Sequence, residues 1–477
     1  MEVSLRFTPA EILSKTGLPA FHDAKYVHEV GQYLFRRAHM PVTLSEKLGT
    51  LAPVLDLVDE RFGPVKDIVG IKPKGNQPPF WIYHAKLTRP LGSYFVEYDC
   101  DAWGSSIDKD EALFKCLGEV LERYCMYNTF ATGEFEQLKA SNCKLLSELP
   151  HCAPQERCAD SYKGISPDWN LTMARVKEVA TNDLHWIPAG FVDFTYHAHT
   201  DEPKVTLSHS SGSAFHESAH RAIWAGLCEV AERDAFSLFW LNQFPAKEIV
   251  LDGVSFGECE ELNALARRLD LIKAAGLKIR TFDITTDFNV PTVFSVVQGD
   301  EFPLATFGAA CTSDPVRAIV KSIDEVFLVR LAQLSGKETA KVPSYTDFSW
   351  VSSLRDHSDL YALWRNTPAF DFFMKNADAL SLAEFRKKEW WQEPKGDLQL
   401  QEMAGKLQDE LGMTVLYMDC TLDDVARFGV GVKVVVPQMQ PIYVPESIKW
   451  LACPRLAKHA EKHALKFASN PYPHPFP

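Results

Sequence analysis

Several things that would classify this chain quickly are missing from it. There is no G-x-x-x-x-G-K-[ST], and no G-x-G-x-x-G behind a strand, which disfavours the familiar phosphate-loop folds. The first residues, Met1 to Phe7, lack a basic stretch followed by an apolar run, so no secretory signal is read there. No uninterrupted apolar segment reaches the ~20 residues of a membrane span. The 11 cysteines are odd in number and unpaired in spacing, which argues against a disulfide framework and for reduced thiols in the cytoplasm. Only Cys143, Cys152 and Cys158, with His151, cluster at all; without C-x-x-C spacing they read as scattered buried thiols before a zinc site. Positive charge is short as well. Fifty Lys plus Arg against 63 Asp plus Glu leave a net −13, and general nucleic-acid binding wants the opposite balance.

What is present is ample apolar material. Of 477 residues, 46% are hydrophobic and 12% aromatic, enough for a substantial core. That length suggests two or three domains, or one large fold. Residues 1–65 read as helices (10–16, 27–39, 44–61) broken by Pro41, Pro53 and Pro64. From residue 66 onward the patterning turns mixed.

The stretch Leu227 to Ala235 is the centre of that larger part. Glu229 and Glu232 are three apart, so on a helix their carboxylates leave one face, with Arg233 on its edge. Ile223, Leu227, Val230 and Leu238 form an apolar stripe, and Ala225, Phe236, Phe239 and Trp240 share the side of the glutamates. A helix apolar nearly all round belongs in the interior. Two carboxylates there cost several kcal/mol unless paired or bound to a cation. Arg233 offers only one counter-charge.

The motif has an earlier copy. Glu119, Glu122 and Arg123 precede Glu229, Glu232 and Arg233 by 110 residues each. Four carboxylates on two helices suffice to hold hard divalent cations facing phosphates. A solvated face with local ion pairs is the competing reading, strongest for the first copy, where Leu113, Leu117, Val120 and Tyr124 lie opposite the acids.

Around these helices, strands are expected at 80–87, 94–98, 184–195, 204–208, 278–284, 292–298, 305–311, 414–420 and 431–436. A small-residue loop at 102–106 leads through Asp108 and Glu111, a capping box, into the first glutamate helix. A second such loop, 208–214, leads into the central one. A third helix opens at Ser313-Asp314-Pro315, carries Lys321, Asp324, Glu325 and Arg330, and ends at Gly336. A last helix is expected at 455–467. The chain closes on Pro471, Pro473, Pro475 and Pro477 at every second position, a stiff extended arm that places a carboxylate at its tip.

Together, the two loop-then-E-x-x-E-R units, the third helix with Glu325, the strand-rich C-terminal part and the terminal P-x-P-x-P-x-P resemble the YcaO superfamily. More narrowly they resemble its azoline-forming cyclodehydratases, the D-type subunits that modify ribosomally made peptides. The resemblance covers 66–477 and implies an α+β YcaO fold, with mixed sheets packed against helices that wall an ATP site. By it, Glu119, Glu122, Glu229 and Glu232 hold Mg²⁺. The same glutamates, with Arg123, Arg233, Ser210, Glu325 and Arg330, face ATP, and Pro477 is the base. The chain departs from the family pattern at Trp103, Lys115 and Leu328.

The reaction implied is attack of a substrate Cys, Ser or Thr on the preceding backbone amide. Phosphorylation by ATP and loss of phosphate then give a thiazoline or oxazoline. The partners implied are a precursor peptide and a separate, leader-binding, ubiquitin-activating-enzyme-like chain; a dehydrogenase and a homodimer are compatible. Thioamide or amidine formation is the alternative chemistry. A non-catalytic scaffold is the alternative role.

Overall fold

The computed structural model describes residues 52–59, 63–73, 75, 77–87, 101–156, 162, 164–196, 202–257, 259–375, 377–465 and 469–476. The helices expected at 10–16 and 27–39, the strand at 94–98, Cys158 and Pro477 lie outside them. Of the helix expected at 44–61, the described part is a 3-10 turn, Ala52–Leu57.

Fourteen strands form three sheets among the described residues. The first is antiparallel: β1 (Val65–Ile71), β2 (Trp81–Leu87) and β3 (Asp101–Ser106). The second holds β4 (Phe135–Lys139), β5 (Asn170–Glu178) with β6 (Leu184–Pro188) at its side, β7 (Ser213–His216), β13 (Leu416–Asp419) and β14 (Val430–Val435), in the order β4-β5-β13-β14-β7. The third runs β11-β10-β9-β8-β12, from β8 (Lys247–Val250), β9 (Lys278–Asp283), β10 (Thr292–Gln298), β11 (Ala305–Cys311) and β12 (Ala379–Ser381). The fold is therefore mixed α+β, as the resemblance implied. No helix among the described residues is long and apolar enough to cross a membrane.

Each sheet sends one strand directly into a long helix: β3 into α1 (Lys109–Met126), β7 into α2 (Ala219–Leu241), and β11 into the helix Pro315–Ser335. With α3 (Glu260–Ala274) between them, that last helix is α4. The starts obey local chemistry. Asp108 caps α1, accepting from the amides of Asp110 and Glu111, and Asp314 caps α4, accepting from that of Arg317, with Pro315 in the first turn. The three units close on one another: α1 packs against β7 as well as β3, α2 against β11 as well as β7, and α4 against β3 as well as β11.

Several expectations need correcting. Residues 102–106, read as a loop, are strand β3, paired with β2 from Trp81↔Ser106 to Lys86↔Asp101. Their smallness serves close packing: a Cβ on Gly104 would sit 2.1 Å from the Ala112 carbonyl oxygen on α1. The second half of Asp108's capping box is not made, because the Glu111 carboxylate accepts from the Ser106 hydroxyl instead (2.7 Å). Residues 204–208 run without ladder partners, and the strand expected over 184–195 stops at Pro188, followed by a 3-10 turn. The helix expected at 455–467 spans Pro454–Lys462. Strands β1, β4, β5, β7, β8 and β12, helix α3 and the helix Asp397–Leu411 were not anticipated, and the loop expected at 208–214 ends in the first residues of β7.

Candidate functional site: a ring of carboxylates between three helices

Where the three units meet, five carboxylates form a closed circuit of mutual repulsion. Glu119 repels Glu122 on α1, Glu122 is repelled by Glu229 on α2, and Glu229 repels Glu232. Glu232 in turn repels Glu325 on α4, which is repelled by Glu119 again. Three backbone amides point into the circuit: Trp103 to Glu119 (2.9 Å), Gly212 to Glu229 (3.0 Å) and Cys311 to Glu232 (3.0 Å). Each of the three strand–helix units thus supplies one backbone N–H to a glutamate. Gly212 is required here: its φ is +87°, and a Cβ would lie 2.2 Å from the Val434 carbonyl oxygen.

The chain supplies much of the counter-charge itself, more than Arg233 alone. Arg123 donates twice to Glu119 (3.1 and 2.8 Å), and Arg233 pairs with Glu232 at 3.0 Å and Glu229 at 3.5 Å. Lys433, which no sequence signal singled out, is buried on β14 and donates to the carbonyls of His209 and Ser211 (2.7 Å each) beside Glu229 and Glu122. Lys321 faces Glu232, and Lys115, bound to Asp324 at 2.6 Å, faces Glu325. Burial pushes the Lys433 amine down to about 8.

Even so, the acids are under-compensated. Burial, then Glu229 and Glu119, push Glu122 up to about 8 against the pull of Arg123 and Lys433. Burial, Glu119 and Glu232 push Glu325 up to about 7, and burial raises Glu232 too. Buried acids such as Glu122 and Glu325, which hold protons near neutral pH because burial outweighs the nearby positive charge, suit an added cation. Mg²⁺ is commonly held by one or two carboxylates plus substrate phosphates. Among the described residues no three His, Cys, Asp or Glu side chains stand close enough to hold an ion by themselves. Buried hydroxyls on Ser105 and Ser213, without partners among the described residues, add donors on two of the strands. The residues present therefore fit Mg²⁺ accompanied by a phosphate-bearing nucleotide.

The remaining expected residues divide. Ser210 lies half-buried in the loop before β7, where its carbonyl accepts from the Ser213 amide (2.9 Å). Arg330 is not brought to the ring: its buried guanidinium donates to Gln77 (2.7 Å) and the Pro303 carbonyl (3.0 Å), and burial lowers it to about 10. Trp103 turns its indole onto His84, its cross-strand partner, at 4.0 Å, leaving only its amide to the ring. The C-terminal arm runs inside the protein. His474 is fully buried, and the Phe476 ring lies 4.3 Å beneath the Arg233 guanidinium. Pro477, the expected base, is outside the described residues.

The family model described as "YcaO cyclodehydratase, ATP-ad Mg2+-binding" matches residues 103–440. An uncharacterised protein of Methanothermobacter thermautotrophicus is 27% identical over 267 residues, which cover 55% of this chain and 64% of that one. The chain thus spans less than two thirds of that relative's length. A solved heterocyclase in complex with substrate and cofactor shares the fold at TM-score 0.66 and 18% identity, over 91% of this chain and 57% of that one. A structure from Methanopyrus kandleri, bound with AMPPCP and Mg²⁺, shares it at TM-score 0.55 and 16% identity, over 82% and 90% of the two chains.

Proposed function

The chain belongs to the YcaO family, whose cofactors are ATP and Mg²⁺, and from that premise we propose that it is an ATP-dependent cyclodehydratase acting on a ribosomally made peptide. A substrate Cys, Ser or Thr side chain closes onto the preceding backbone amide to give a thiazoline or oxazoline. Held by Glu119, Glu122, Glu229 and Glu232 with Arg123 and Arg233, Mg²⁺·ATP would supply the phosphoryl group that lets the former amide oxygen leave as phosphate, and the metal would offset the phosphate charge.

The observation that supports this reading is the five-carboxylate circuit drawn from three strand–helix units. Glu119, Glu122, Glu229 and Glu232 are the residues assigned to Mg²⁺. Arg123, Arg233, Ser210 and Glu325 are assigned to the nucleotide. Three of the four metal glutamates keep one oxygen on a backbone N–H, which fixes their orientation before anything binds. Among the described residues no backbone N–H donates to Glu122, which, pushed up to about 8, can hold or release a proton as the site fills. Arg233, braced by Phe476, presents its charge to the same space. A leader-binding partner chain is part of the proposal, by resemblance to the family.

Mass spectrometry tests it. A Cys-containing precursor peptide is incubated with Mg²⁺·ATP, this chain and a partner chain. Loss of one water per ring, matched by phosphate release, is expected. Exchange of oxygen for sulfur would point to thioamide formation, and an unmodified peptide with no phosphate released would overturn the catalytic reading.

A further inference from the structure

Prolines at 471, 473 and 475 leave the arm few amides, so its carbonyls must carry most of its backbone hydrogen bonds. The structure takes them one by one with side chains. Lys449 donates to the Asn470 carbonyl (3.0 Å) and the Trp240 indole to that of Tyr472 (3.0 Å). The Tyr361 hydroxyl donates to the Pro473 carbonyl, and a His357 ring nitrogen, Nδ1, meets that of His474 (2.8 Å). The last two readers belong together. His357 and Tyr361 sit one turn apart on the helix Leu354–Leu363 (α5), so one helical face addresses two consecutive carbonyls of the extended arm.

Both readers are buried, at 0% exposure. The His357 ring also stacks on that of His474 (3.9 Å, 12°), and its other nitrogen, Nε2, meets the Val444 carbonyl (2.6 Å). His357 therefore lies between the arm and the segment following β14, its ring stacked on the arm and its single N–H, in the neutral form, shared between two facing carbonyls. Two residues beyond His474, the Phe476 ring meets Phe236 on α2 (4.8 Å) and the Arg233 guanidinium (4.3 Å). A stiff arm transmits a fixed point at 473–474 to a fixed point at 476.

We infer that His357 and Tyr361 form a latch: they are positioning residues that hold the C-terminal arm, and through Phe476 the Arg233 guanidinium, at the carboxylate ring. Neither touches the ring, and both act through the arm. The consequence for Arg233 rests on the proposed function, while the latch itself does not.

Hydrogen–deuterium exchange on the full chain tests the latch without nucleotide. In Tyr361→Phe and His357→Leu, the amides of Tyr472, His474 and Phe476 are expected to exchange at least about tenfold faster, with α2 still protected. Should His357→Leu fail to fold, Tyr361→Phe, which removes one oxygen atom, decides alone. Unchanged protection at 472–476 would overturn the latch. Kinetics with Mg²⁺·ATP and phosphate detection tests the positioning role. Turnover should fall up to about 100-fold while the KM for ATP stays within about twofold, and His357→Gln, which keeps an N–H donor, should recover part of the loss. Equal turnover in wild type and variants would overturn that role. A wild-type chain that neither binds nor hydrolyses ATP would instead remove the proposed function, and the exchange result would still stand for the latch.

Discussion

The two E-x-x-E-R helices carry the same five-residue pattern and use it differently. On α1, Arg123 folds back on its own helix: it donates twice to Glu119 and reaches the Met126 sulfur (3.8 Å). On α2, Arg233 leans away from Glu229, lies 3.0 Å from Glu232, and rests over Phe476 from the far end of the chain. The spacing is identical, so the helices themselves do not set the difference. It comes from what packs beside each arginine. α2 is buried within the aromatic core that receives the arm, whereas the corresponding turn of α1 has no arm beside it. A repeated local motif has become one self-contained ion pair and one arginine whose direction depends on distant residues.

The largest test of this contrast exchanges the acids. Glu232→Gln removes the nearer of the two carboxylate partners of Arg233 and should reduce Mg²⁺·ATP turnover by about 1,000-fold, against about 100-fold for Glu122→Gln. Glu122 is already largely protonated in the free chain near neutral pH, so its amide resembles the resting state. Steady-state kinetics that reversed this order would break the comparison.

A smaller effect isolates the arm. Phe476→Ala removes the ring under Arg233 and should lower turnover about tenfold, the size of one buried cation–π contact. Among the described residues no aromatic ring supports Arg123 in this way. If Phe476→Ala left turnover unchanged, the two arginines would be equivalent after all.

The smallest concerns pH. In the folded chain Glu122 and Glu325 titrate at about 8 and about 7, against an ordinary 4.5. Folded protein therefore retains protons that the unfolded chain has released, and these two acids erode stability as pH climbs from 4.5 toward 8. Below 6.5, burial of neutral His209 and His357 acts in the opposite sense, because the unfolded imidazoles then bind protons that the folded ones refuse. Mg²⁺ must displace the retained protons. The rise in melting temperature produced by Mg²⁺·ATP should thus be greater at pH 8.5 than at pH 6.5, measured by differential scanning fluorimetry. A rise independent of pH would take Glu122 and Glu325 out of the binding site.

Much of the site could be read from one dimension. The 110-residue offset between the glutamate pairs, the Asp314-Pro315 start of α4 and the strands at 292–298 and 305–311 all follow from local chemistry or short-period patterning. The errors share a cause. Small residues at 102–106 carry no strand signature of their own, and their meaning appears only when α1 lies against them. Lys433 sits in a continuous apolar strand, where nothing nearby in sequence announces the two carbonyls it binds. Arg330 was drawn toward the nucleotide by its place on the third helix, but a helix rotates its side chains by about 100° per residue, and five positions beyond Glu325 it faces Gln77 and Pro303 instead.

Taken alone, the sequence determined which acids repeat, on which helices, and that a proline-spaced arm would be stiff, because each is a consequence of helix period or of the proline ring. Only the tertiary structure decided that five carboxylates from three units close into one circuit, and that Phe476 comes to rest beneath Arg233. Those juxtapositions join residues up to 243 positions apart (476 − 233), and such contacts are set by how sheets and helices pack, which no local spacing encodes.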